Sequence, residues 1–79
     1  NPVTSQTTLS LRSSKNQLAQ IKIFNELGAL LKVKSVQLMA GTNTIVLDGF
    51  ETWSNGVYPI RVQTEDQAST IKMVIRRSK

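Results

Sequence analysis

The chain has 79 residues, ten Lys plus Arg against five Asp plus Glu, a formal charge of +5, and neither cysteine nor histidine. That inventory excludes disulfides and thiolate metal sites, and it removes the commonest metal ligand and the commonest general base. It leaves room for one domain near the lower size at which a core holds a fold unaided.

No apolar run approaches the roughly 18 residues a membrane-spanning helix needs, and no positively charged, then apolar, leader opens the chain. The start at Asn1-Pro2 reads as a piece excised from a longer protein. Absence of disulfides usually favours a reducing compartment, yet it is compatible with a secreted bacterial protein.

The first element is expected over Thr7–Leu11, Thr-rich and alternating, with Leu9 and Leu11 on one face. The polar cluster Arg12–Gln17 reads as a turn. Leu18–Phe24 places Ala19, Ile21 and Ile23 on one side and Gln20 and Lys22 on the other, a second strand. Asn25–Gly28 closes it as a hairpin loop, because Asn25 can fold its side chain onto the backbone and Gly28 can take positive φ. In Ala29–Leu38 a helix competes, but β-branched content and short spacing favour a strand. Leu31, Val33 and Val36 fit that strand with a slip near Ser35. Met39-Ala40-Gly41 turns the chain, and Thr42–Leu47 follows with Asn43, Ile45 and Leu47 in phase.

Asp48–Asn55 is irregular and carries Phe50 and Trp53. Large rings dominate small cores, so both are expected to fold back as a plug, the alternative being an exposed contact patch. Next come two alternating runs, Tyr58/Ile60/Val62 and Ile71/Met73/Ile75, separated by the polar Thr64–Gln67. They read as an antiparallel hairpin. Proline cannot donate to a ladder, so at Pro59 the strand should be an edge or turn its missing amide outward. Six or seven such strands without a convincing helix predict an all-β antiparallel sandwich.

Catalysis has little to stand on. The acids are Glu26, Asp48, Glu51, Glu65 and Asp66; the adjacent pair sits in a turn, where neighbouring side chains diverge. No hydroxyl has a histidine base, and neither metal-ligand spacing nor a Gly-rich phosphate loop is present. The chain is therefore read as a non-enzyme with no metal and no cofactor, one that binds or is recognised. Positive charge can point to nucleic acid, but the basic residues are dispersed and no aromatics interleave with them, so no nucleic-acid partner is expected.

With the turns placed, the chain resembles the C-terminal sorting domain of cargo exported by the type IX (Por) secretion system of Bacteroidetes. The matching pieces run in the family's order: Asn1-Pro2 for the end of an opening P-N-P, then Ile21–Gly28 for v-x-I-Y-D-x-x-G. Gly41-Thr42-Asn43 with Ile45 and Leu47 stands for G-x-N-x-i-x-l, and Asn55–Tyr58 with Ile60 and Val62 for x-G-v-Y-x-v-x-v. Ile71–Ile75 fills the closing x-K-x-v-v-x. Phe24 departs from the usual Tyr, Asn25 from Asp, Trp53 from Leu, and Pro59 from an aliphatic residue. Each motif is weak alone, and five in register across almost the whole chain are far more specific.

The resemblance implies an immunoglobulin-like β-sandwich of about seven strands, a single sorting domain over residues 1–79 appended to a larger secreted enzyme or adhesin. It implies a secretion signal that a translocon, shuttle and sortase proteins handle, and that a sortase usually removes, leaving the cargo on the cell surface or released. Recognition falls on the terminal strands of the family, here Gly56, Tyr58, Lys72, Val74, Ile75, Arg76, Arg77 and Lys79. Asn1, Pro2, Asn25, Gly28, Gly41 and Asn43 take structural roles. A last strand lined with cations at a sheet edge is a template for strand addition by a partner. Bland alternatives stand beside these roles: Gly56 serving a turn, Tyr58 filling the core, the basic tail keeping an edge soluble. Edge pairing of two copies stays open. The competing reading is a fibronectin-like or carbohydrate-binding module of an extracellular enzyme, which would display aromatics on an exposed face.

Overall fold

The computed structural model describes residues 5–76. They hold six strands: β1 (Gln6–Ser13), β2 (Gln17–Phe24), β3 (Leu30–Leu38), β4 (Gly41–Asp48), β5 (Gly56–Gln63) and β6 (Ala68–Ile75). No helix interrupts them among the described residues. One sheet has the order β3-β2-β5-β6, and the second contains β1 and β4. All pairings are antiparallel. The result is a sandwich of two stranded layers, with six strands where about seven were expected. Asn1 and Pro2, and at the other end Arg77 and Lys79, lie outside the described residues.

Alternation explains the core. Ala19, Ile21 and Ile23 of β2 and Tyr58, Ile60 and Val62 of β5 are buried, and the register sets Ile21 opposite Val62 and Ile23 opposite Ile60. Directly opposed residues share a face, so these pairs form one apolar surface. Leu9 from β1 and Ile45 and Leu47 from β4 close onto it from the other layer. Phe50 is fully buried and Trp53 is packed, partly buried, against the same cluster. The expected plug is therefore formed, with Phe50 as its inner part.

Turn chemistry follows the residues that announced it. Asn25 Oδ1 accepts the amides of Leu27 and Ala29, each at 2.9 Å, and Gly28 sits at φ +90°. Gly41 adopts φ +107°, and Asn43 binds the β3–β4 turn by accepting from the Met39 amide at 2.8 Å and donating to its carbonyl at 2.9 Å. The Asn43 amide also reaches the Leu11 carbonyl of β1 at 3.3 Å. The turn after β1 is shorter than expected, since β1 continues through Arg12 to Ser13.

One reading of the chain is corrected. The expected slip near Ser35 does not occur: the register of β3 against β2 is unbroken from Lys32 to Leu38. Its irregularity lies at Leu31, because Ile23 pairs with Lys32 while Phe24 pairs with Leu30. Leu31 is thus the extra residue of a bulge, which bends a strand and disturbs its ladder locally. Consequently Lys32, Lys34, Val36 and Leu38 take the core-facing side, Lys34 remaining exposed at its rim, and Leu31 and Val33 are exposed on the other face. In the first half of β3 the apolar Leu31 and Val33 face outward, and only Val36 and Leu38 of its apolar residues pack against the core.

Candidate functional site

Of the residues expected to carry recognition, Gly56, Tyr58, Lys72, Val74 and Ile75 lie on the β5–β6 ladder, and Arg76 follows directly after it. Its register is regular over eight pairs, from Gly56↔Ile75 to Gln63↔Ala68. Tyr58 pairs with Met73 and Pro59 with Lys72, so the ladder sorts the candidates by face. Gly56, Tyr58 and Ile75 lie on the core side. Lys72 and Val74 lie on the outer side with Pro59 and Val57. Lys72 and Arg76 are exposed, Val74 is half-buried and Ile75 is buried.

Tyr58 is 6% exposed, and its hydroxyl donates to the Ser54 carbonyl at 2.6 Å. Its ring lies 5.1 Å from that of Trp53, which in turn lies 4.8 Å from Phe50. This aromatic file ties the loop before β5 to the core. Tyr58 is therefore presented to no partner directly. Gly56 has no positive φ, and a Cβ there would meet Glu26 Oε1 and the Tyr58 ring at an ordinary 3.7 Å. Neither a special turn nor a close approach requires glycine at this position.

Pro59 sits in a strand flanked on both sides, yet the β2–β5 ladder ends at Ile23↔Ile60, one residue before it. On the β2 side the strand is locally an edge, which is how an inner strand accommodates proline.

Among the described residues β6 pairs only with β5, so one side of its backbone has no strand partner there. Its leading half, Ala68–Lys72, is exposed on both faces, and burial begins only at Met73. Ile71 faces inward, opposite the fully buried Ile60, and still stays 43% exposed. The second layer does not reach over this part of the sheet. At the far end of the ladder Lys15 pairs with Glu65, linking the β1–β2 turn to the β5–β6 turn. The hydrogen bond that Lys15 donates to Glu65, followed by the charge of that carboxylate, raises the Lys15 pKa above its ordinary value.

A family model for the secretion system C-terminal sorting domain matches residues 1–76. The chain belongs to that family. No curated protein matches the sequence. The sorting domain is a C-terminal secretion signal for the type IX system, and it marks the protein that bears it for export across the outer membrane to the cell surface or beyond. Its family is not an enzyme family.

Two of the sorting domain's motifs now have a physical account. The Gly–x–Asn stretch supplies the left-handed Gly41 and the Asn43 clamp, and the Asn25–Gly28 loop supplies a side-chain turn followed by a left-handed glycine. An aspartate at position 25 would accept the same two amides, so the departure from the family pattern leaves the turn intact. Sequence reasoning passed over Lys32 and Lys34, whose inward placement depends on the bulge at Leu31. It also passed over Arg61, an exposed cation of β5 opposite Thr70 on the ladder.

Proposed function

We propose that residues 1–79 form one sorting domain carried by a larger secreted protein, and that the β5–β6 ladder is the part the export machinery reads. The observation that carries this reading is the uncovered state of β6, exposed on both faces over Ala68–Lys72 and, among the described residues, unpaired along one edge. Lys72, Val74 and Arg76 supply the outward chemistry. Ile75, Gly56 and Tyr58 act from beneath, by holding that surface in shape. Arg77 and Lys79 extend the cationic character along the sequence.

In this reading the chain performs no reaction. It is the ligand of a translocon, a shuttle and a sortase, and the sortase removes it after passage, leaving the cargo anchored or free. The rival carbohydrate-binding reading wants neighbouring rings on an open face. Burial of Phe50 and the packing of Trp53 between Phe50 and Tyr58 speak against it.

The test is a reporter fused upstream of Asn1 in a host with a working type IX system. The full fusion should reach the surface, and the same fusion trimmed of Met73–Lys79 should stay inside the cell. Export of the trimmed fusion at the full level would refute the reading.

A further inference from the structure

The long sides of the sandwich are finished differently. On one, β3 and β4 face each other across the gap between the layers. Lys32 and Lys34 lie on the core-facing side of β3, opposite the buried Ile23 and Ile21. Lys34 Nζ donates to the Val46 carbonyl of β4 at 3.2 Å. Lys32 Nζ stands 3.2 Å from where a Cβ would sit on Gly49. Inward-pointing charge and a bulge are devices that keep an edge strand from pairing with another chain, and β3 has both.

The opposite side has neither. β6 runs eight residues without a register shift, and its inward residues are Ser69, Ile71, Met73 and Ile75, none of them charged. In the other layer β1 pairs, among the described residues, only with β4. A groove of about 110 Å³ opens at the end of the sandwich, lined by Leu11 and Arg12 of β1, Leu38 of β3, Val62 of β5, Ser69 of β6, and Thr64 and Gln67 of the turn. The half-exposed Ile71 is an apolar group that a further strand would cover. Arg12 of β1, Arg61 of β5, Lys72 of β6 and Arg76 after it are all exposed. Of the two acids at the nearby turn, Glu65 is held by Lys15, and Asp66 accepts the Thr64 hydroxyl.

We propose that the β6 edge accepts an extended, acidic strand of a partner protein by backbone pairing, while the β3 edge is closed to the same interaction. Strand addition takes its affinity from main-chain hydrogen bonds and its selectivity from alternate side chains. Here alternate acidic residues of the incoming strand meet Lys72 and Arg61 on the outer face, and an apolar residue covers Ile71. A second copy of this chain is a poor occupant, because it brings Lys72 and Arg76 against their own kind. This proposal rests on the export reading and names how the signal is gripped.

The probe is an eight-residue synthetic peptide alternating glutamate and valine, with a lysine–valine peptide as its counterpart, titrated into the 79-residue chain. Amide shifts and slowed hydrogen exchange should appear along residues 68–75 and not along 30–38. The basic peptide should bind at least tenfold more weakly. Ile71→Lys, which copies the device found on β3, and the milder Lys72→Glu should each weaken the acidic peptide about tenfold, with an unchanged thermal midpoint verifying the fold. Perturbation at β3, equal binding of both peptides, no binding, or dimerisation through β6 would each overturn the proposal. In the export assay, an Ile71→Lys fusion that reaches the surface normally, while the trimmed fusion stays inside, would refute strand pairing and leave the export signal standing.

Discussion

The two long sides of this sandwich are made of similar material and behave as opposites. β3 holds more exposed apolar side chains than β6, with Leu30, Leu31 and Val33 all at least 44% exposed, and on composition it is the stickier edge. Yet its backbone is guarded by two lysines that face inward, one of which occupies a carbonyl of the neighbouring layer. β6 has only outward charge, and among the described residues nothing pairs with its far edge. The difference teaches that an edge is closed by where a charge points, since an inward lysine would be desolvated by an incoming strand and an outward one would not.

The largest change is expected from opening the guarded side. Replacing both inward lysines, Lys32→Val with Lys34→Val, should turn β3 into a second pairing edge and make the chain self-associate more strongly than its parent in sedimentation velocity. An unchanged sedimentation profile would show that the bulge at Leu31 alone keeps β3 closed.

Core contributions should sharpen the same contrast. Phe50 is fully buried in the loop that follows β4, next to the guarded side, and Phe50→Ala should cost about 3–5 kcal/mol in a denaturant melt. Ile71 on the open side keeps 43% of its surface in water, so Ile71→Ala should cost only about 1 kcal/mol. Equal losses would mean that something covers Ile71.

The smallest effect concerns the ion pair at the end of the ladder. Lys15 and Glu65 are both exposed, with side chains 51% and 69% accessible, so Lys15→Ala should leave the neutral-pH melting midpoint unchanged. Because the partner raises the folded-state pKa of Lys15 above 10.5, whatever the pair contributes is present below that value and fades as pH climbs through the raised one. A clear difference between parent and variant at neutral pH that vanishes in high salt would give the pair a larger role.

Much of the chain could be read before folding. The alternation of Ala19, Ile21 and Ile23 marked a half-buried strand, and the same set is buried in the structure. Asn25 and Gly28 announced a side-chain turn and a left-handed residue, and both are present. Phe50 was expected inside and is there. Gly56 is the counter-example: as a glycine beside an asparagine it resembles a turn residue, but it begins β5 in a backbone conformation open to any side chain.

Sequence by itself determined the strands, their turns, and the family, because period-two alternation and turn residues act over a few neighbouring positions and leave a local trace. Tertiary structure alone decided which face of β3 points inward, which edge is sealed and which stays open. Those outcomes depend on the bulge at Leu31, on the reach of Lys34 to a carbonyl of β4, and on a two-stranded layer stopping short of β6. The physical reason is that alternation separates two faces of a strand without saying which is buried, and only packing against distant parts of the chain breaks that tie.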